Sequence, residues 1–125
     1  MTRTTILTAV LALAAAAPAA AQPLVAVETD LGRVLAAESN GMTLYTFTQD
    51  APNQSTCYDS CAAAWPPFLA ADGAEAQGGL DIIAREDGTR QWALNGQPLY
   101  FWQGDARVGD ATGHGVGGVW FTIAN

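Results

Sequence analysis

The side chains able to carry chemistry fall into three small groups. Cys57 and Cys61 stand four residues apart. Asp50 and Asp105 close two similar phrases, "LYTFTQD" from Leu44 and "LYFWQGD" from Leu99. His114, the one histidine, shares the Gly-rich stretch "VGDATGHGVGG" with Asp110. In an oxidising compartment an even Cys pair closes into a disulfide. One helical turn brings such residues to a Cα separation of about 6 Å, within reach of a bridge. The alternative is a redox or metal-binding thiol pair. Against it stand the missing Cys-x-x-Cys spacing and the lack of a flanking cation to lower a thiol pKa.

Each phrase-ending carboxylate has two readings. As a turn residue, Asp50 or Asp105 accepts backbone N–H groups where a strand exits. As a pair across a twofold, with Asp110 and loop carbonyls, they offer hard oxygen ligands for Ca²⁺ or a cationic ligand. His114, with Met42 or the Cys pair, would suit copper. A surface histidine is the simpler reading. The chain has no Gly-x-Ser-x-Gly, no His-x-x-x-His and no phosphate loop. No acid, base and nucleophile set stands out, so an enzyme is not expected.

The aromatics Tyr45, Phe47, Tyr100 and Trp102 belong to the same phrases, and Trp65 and Trp120 follow them. Large rings dominate the core of a domain this small. A ligand-facing aromatic patch is the alternative, since Tyr and Trp suit flat sugar or quinone-like rings.

These residues are positioned by a duplication. A shift of 55 residues places Asn40-Gly41 on Asn95-Gly96, Leu44-Tyr45 on Leu99-Tyr100, Phe47 on Trp102, Asp50 on Asp105 and Trp65 on Trp120. Upstream, a one-residue slip matches Gly32-Arg33 with Gly88-Thr89. Each copy carries β-hairpin punctuation, Asn-Gly being its strongest form. Strands are predicted over residues 25–29, 34–38 and 42–48, and again over 80–85, 90–94 and 97–103. Period-two alternation puts Tyr45 and Phe47 on one face and Leu44 and Thr46 on the other. After the first phrase, Ser55 or Thr56 is predicted to cap a short helix over residues 57–64, stopped by Pro66-Pro67. After the second, the glycines predict a tight irregular loop and then a closing strand over residues 119–123. The expected fold is mostly β. Two pseudo-symmetric three-stranded antiparallel meanders, with one short helix, form one domain over residues 22–125, with repeats at about 24–69 and 79–123.

Residues 1–21 read as a secretory signal peptide: Arg3, then an apolar run, then Ala19-Ala20-Ala21. No cysteine follows the expected cut, so a periplasmic or secreted form without a lipid anchor is expected. No other segment is apolar for long enough to span a membrane. The formal charge is −7, and removal of Arg3 takes it to about −8. Twelve acids then face only Arg33, Arg85, Arg90 and Arg107. Such a surface repels nucleic acid and anionic lipid headgroups and favours cationic partners or metal ions; solubility in an exposed compartment is the simpler reading.

Taken together, these motifs resemble one family. Asn-Gly-x-x-Leu-Tyr-x-(Phe/Trp)-x-x-Asp occurs twice, followed once by "CYDSCAAAWPP" and once by "GDATGHGVGGVW". The chain resembles the bacterial secreted-repeat proteins, predicted lipoproteins with a Yx(F/W)xxD motif. The resemblance implies an exported envelope protein of two repeats and brings no specific activity. It departs from that pattern at the missing lipid-attachment cysteine, at His114 where Asp is expected, and at Phe121 where His is expected. The expected role is non-enzymatic binding or structural interaction with an envelope protein or small ligand. The alternative is a metal-binding or redox protein using Cys57, Cys61 and His114, or an Asp-lined site.

Overall fold

The computed structural model describes residues 22–125; the predicted leader lies outside the described residues. Seven strands form: β1 (Leu24–Thr29), β2 (Gly32–Ala37), β3 (Tyr45–Phe47), β4 (Leu80–Ala84), β5 (Arg90–Leu94), β6 (Gln97–Pro98) and β7 (Trp120–Thr122). One helix, α1 (Ser60–Ala64), and one 3₁₀ turn (Val116–Gly118) complete the set among the described residues. The molecule is mostly β, and all its strand pairs are antiparallel.

Each repeat begins as a hairpin. Thr29 closes the β1–β2 turn: its Oγ1 donates to the Gly32 carbonyl (2.8 Å) and accepts the Leu31 N–H (3.1 Å). Asn95 and Gly96 both take positive φ, 50° and 85°, and make the two-residue β5–β6 turn that Asn-Gly predicts. Asn40-Gly41 behaves differently. Only Gly41 of that pair takes positive φ, and the chain turns over residues 38–41 with Gly41 N–H bonded to the Ala37 carbonyl. Ala36 therefore stands opposite Thr43, and Ala93 opposite Pro98. Thr43 and Pro98 are 55 residues apart, whereas Ala36 and Ala93 are 57 apart. The gapless register of the sequence thus holds from the motif onward and slips inside the hairpins.

The motif strands are shorter than predicted because each changes partner midway. Thr43 bridges Ala36 of its own hairpin, and Leu44 N–H reaches the Leu35 carbonyl. Two residues on, β3 pairs with β7, Tyr45 opposite Thr122 and Phe47 opposite Trp120. The second copy repeats this with residues 64–69 in the place of β7. Tyr100 bridges Pro67, Phe101 N–H reaches Pro66, and Gln103 N–H reaches Ala64. Pro66, Pro67 and Pro98 carry no N–H, so these ladders break into single bridges. The closing segments then continue onto the opposite hairpins. Trp92 N–H bonds Phe68, and Leu35 N–H bonds Ile123. Each repeat's last segment therefore completes the other repeat's sheet.

The alternation predicted along the motif builds two cores. Leu44 and Leu99 join Ala37, Phe68, Leu80 and Trp92 in one. Tyr45 and Tyr100 join Cys57, Trp65 and Trp120 in the other.

Helix α1 begins at Ser60, later than the predicted residue 57, and no side chain caps it. Ser55 and Thr56 are engaged elsewhere, as described below, and Asp59 takes φ 53°, which excludes it from a helix. The second-copy loop is irregular, as its glycines predict, with Gly109, Gly115, Gly117 and Gly118 all at positive φ.

Candidate functional site

The two motif tyrosines meet on the pseudo-twofold axis. Tyr45 N–H donates to the Tyr100 carbonyl (2.8 Å), and Tyr100 N–H returns to Tyr45 (3.0 Å). Their side chains then cross between repeats. Tyr45 O–H donates to Asp105 Oδ2 (2.7 Å), and Tyr100 O–H to Asp50 Oδ2 (2.6 Å). The other carboxylate oxygen closes the following loop. Asp50 Oδ1 accepts Thr56 N–H and Oγ1–H, both at 2.8 Å. Asp105 Oδ1 accepts the same two groups of Thr112, at 2.9 and 2.8 Å. Both phenols are pushed well above their ordinary pKa, by burial first and then by the carboxylate that accepts their proton. They are neutral donors at neutral pH.

Six rings pack around this axis with the same symmetry. Trp65 stacks on Trp120 at 3.9 Å and 2°. Phe47 stacks on the outer face of Trp120 at 4.1 Å, and Trp102 lies against Trp65 at 4.2 Å with its ring tilted by 32°. Tyr45 meets Trp65 edge-on at 5.2 Å, and Tyr100 meets Trp120 at 5.1 Å. Gly113 lies against this stack. A Cβ there would come within 2.7 Å of Trp65 and 2.9 Å of Trp102, so only glycine fits.

Symmetry fails beside Tyr100. Arg85 is buried, 4% exposed, and was legible in the sequence only as one cation among four. Its Nη1 donates to Ser55 Oγ (3.0 Å) and Gln91 Oε1 (2.8 Å), and its Nη2 to the Cys57 carbonyl (2.8 Å). The guanidinium lies 4.4 Å from the Tyr58 ring centre. Nε lacks a hydrogen-bond partner and has the Asp87 carboxylate at 3.8 Å, a charge contact only. Ser55 accepts from Arg85 and lies 2.6 Å from the Tyr100 hydroxyl. Tyr100 spends its proton on Asp50, so Ser55 donates to Tyr100. A directed chain, Arg85 to Ser55 to Tyr100 to Asp50, results. Asp110 occupies the position matching Ser55. Its Oδ2 accepts Ala106 and Arg107 N–H (2.8 and 3.1 Å), and its carbonyl accepts Thr43 Oγ1 (2.6 Å).

Residues 25–68 and 81–124 each match a family described as a secreted repeat of unknown function. The chain belongs to this secreted-repeat family. No curated protein and no solved structure matches it.

The remaining predicted site residues of this secreted-repeat protein lie apart. Cys57 and Cys61 are joined by a disulfide, Cα atoms 5.2 Å apart, so neither sulfur is a thiolate ligand. His114 is exposed and turned back on β7. Its Nδ1 accepts the Thr122 N–H (3.1 Å), with Thr122 Oγ1 at 2.9 Å, and its ring meets Phe121 edge-on. Asp50 and Asp105 belong to two separate networks, each built around a tyrosine. Among the described residues no three His, Cys, Asp or Glu side chains gather as a metal set, and no helix is long and apolar enough to cross a membrane.

One concavity among the described residues lies outside the motif. A groove of about 500 Å³ runs between the turn after β2 (Glu38, Ser39), residues 22–23 and the inter-repeat linker, over Phe68 and Trp92. A smaller hollow of about 180 Å³ lies beside the first motif turn, at Phe47, Asp50, Pro52 and Asn95. Sequence reasoning missed the groove. Its walls come from a linker without motif character.

Proposed function

We propose that this secreted-repeat protein is an exported, non-enzymatic binding module of the cell envelope, and that the groove over Phe68 and Trp92 is its binding face. The groove itself carries the reading: its volume lies within the range of small-ligand sites, about 300–1,000 Å³. The duplicated motif supports it from the other side. Tyr45, Tyr100, Asp50 and Asp105 spend their polar atoms on one another and on Ser55, Thr56, Thr112 and the Gly113 N–H, which makes the motif scaffold. A disulfide and a secreted family fit an oxidising compartment. Residues 1–21 serve as the cleaved leader, and the mature chain is periplasmic or secreted without a lipid anchor.

The test is an amide NMR titration of the processed protein with a panel of small cationic, anionic and neutral amphiphiles. Saturable shifts confined to Glu38, Ser39 and residues 71–77 are expected from at least one member. A panel that leaves those amides unmoved would sink the reading. A rise in Tm with Ca²⁺ or Cu²⁺ alone would move the assignment to the metal class.

A further inference from the structure

The groove has a definite chemical character. Its floor is the small exposed part of two core residues, Phe68 and Trp92, 7% and 5% exposed, with ring centres 6.4 Å apart. Leu69, 47% exposed and one of the few large apolar side chains left open, forms part of the wall with Ala74. The charged side chains on the lining are Glu38 and Glu75, both exposed, one on the hairpin and one on the linker; the terminal ammonium that processing creates at Gln22 joins them, so the lining keeps a net negative charge. No lysine or arginine lines it. Arg90 reaches the linker that forms the wall. Its guanidinium donates to the Ala74 carbonyl (3.2 Å) and so holds the linker in place. The linker is shaped for this position: Gly73 turns it at φ 79°, and Ala74 N–H returns to Ala71. The linker lies outside both matched repeats, residues 25–68 and 81–124. The groove is therefore an addition to the duplicated scaffold.

An apolar floor with two carboxylates at the mouth fits one kind of molecule. We infer that the groove receives a small amphipathic organic cation, an apolar or aromatic body carrying an ammonium group. The body covers Phe68, Trp92 and Leu69 and leaves water. The ammonium stays at the solvent edge between Glu38 and Glu75, where its charge is matched without full desolvation. The chain's net charge of −7 raises the local concentration of such a cation and lowers that of an anion. This inference rests on the groove being the binding face.

The processed protein is titrated with decyltrimethylammonium, decyl sulfate and decyl maltoside, each below its micelle concentration, with amide NMR and calorimetry as readouts. The cation is expected to give saturable shifts at Glu38, Ser39 and residues 71–77, with affinity at least about tenfold above the sulfate at low salt. The Glu38→Gln/Glu75→Gln variant, altered only at exposed positions, should abolish the preference for the cation. Equal binding of cation and sulfate would overturn the ligand class while leaving the groove as a binding face. A preference that survives the double variant would also overturn it, by placing its origin elsewhere. Groove amides unmoved by all three probes would overturn the inference and the binding-face reading together.

Discussion

A hydroxyl buried without a partner costs about 1–3 kcal/mol, so the two motif tyrosines need acceptors. Each finds a carboxylate of the opposite repeat, and hydrogen bonds to charged groups contribute about 1.5–3 kcal/mol. The Tyr45→Phe and Asp105→Ala variants and their double should therefore show a coupling of about 1–3 kcal/mol in urea denaturation. The Tyr45→Phe/Asp50→Ala pair, whose side chains do not bond, should be near additive. The reverse pattern would mean that each motif is self-contained. The same phenols set the alkaline limit. Their folded pKa values are raised, so the stability they confer is complete below the ordinary phenol pKa of about 10. It is lost as pH rises above that value, because the unfolded chain ionises there and the folded one does not. Melting temperature should fall from about pH 10 upward, and Tyr45→Phe/Tyr100→Phe should flatten that fall. The motif's spacing was legible, and so was the role of Asp as a loop-closing acceptor. Its partner was not. Both copies carry the same Tyr and the same Asp, so the sequence satisfies a bond within a repeat as well as one between repeats.

At the scale of elements, hairpins were legible wherever side chain and backbone agreed. Asn95-Gly96 makes the tight turn its φ preferences demand, while Asn40-Gly41 is drawn into a longer one. The predicted helix cap failed for a tertiary reason. Ser55 and Thr56 are hydroxyls near a helix start, but the buried Tyr100 and the exit carboxylate Asp50 claim them. What holds that loop instead is the Cys57–Cys61 bond, together with the Cys57 carbonyl on Arg85. A bridge closing so short a loop removes little unfolded-state entropy, about 2 kcal/mol, against about 4.7 for a loop of 100 residues. The Cys57→Ala/Cys61→Ala variant should therefore lose about 2 kcal/mol in urea unfolding, with its m-value unchanged, and remain folded. Loss of the fold would show that the bridge supports the Arg85 network as well as its own turn.

For the whole molecule, the decisive feature is the exchange of closing segments. Residues 65–69 complete the β4–β5–β6 sheet, and residues 120–124 lie on β2 and β3. Trp65 and Trp120 then stack on each other across the axis. Neither repeat keeps its own last segment, and a few strands of about fifty residues bury too little surface to fold unaided. A peptide of residues 22–74 lacks the segment that pairs with β3, and one of residues 75–125 lacks the segment that pairs with Trp92 and Tyr100. Each alone should show the narrow amide dispersion of an unfolded chain. Mixed one to one, each supplies the other's missing strand. The mixture should then regain the near-ultraviolet circular dichroism of the intact protein, dominated by the stacked tryptophans. The recovery should depend on concentration, because covalent linkage no longer holds the halves together. A half that folds alone as a monomer would show that its own closing segment can fold back onto its own hairpin. The duplication would then be two domains side by side. If instead only the mixture folds, the linker does more than join the repeats: it sets their effective concentration while forming the wall of the groove.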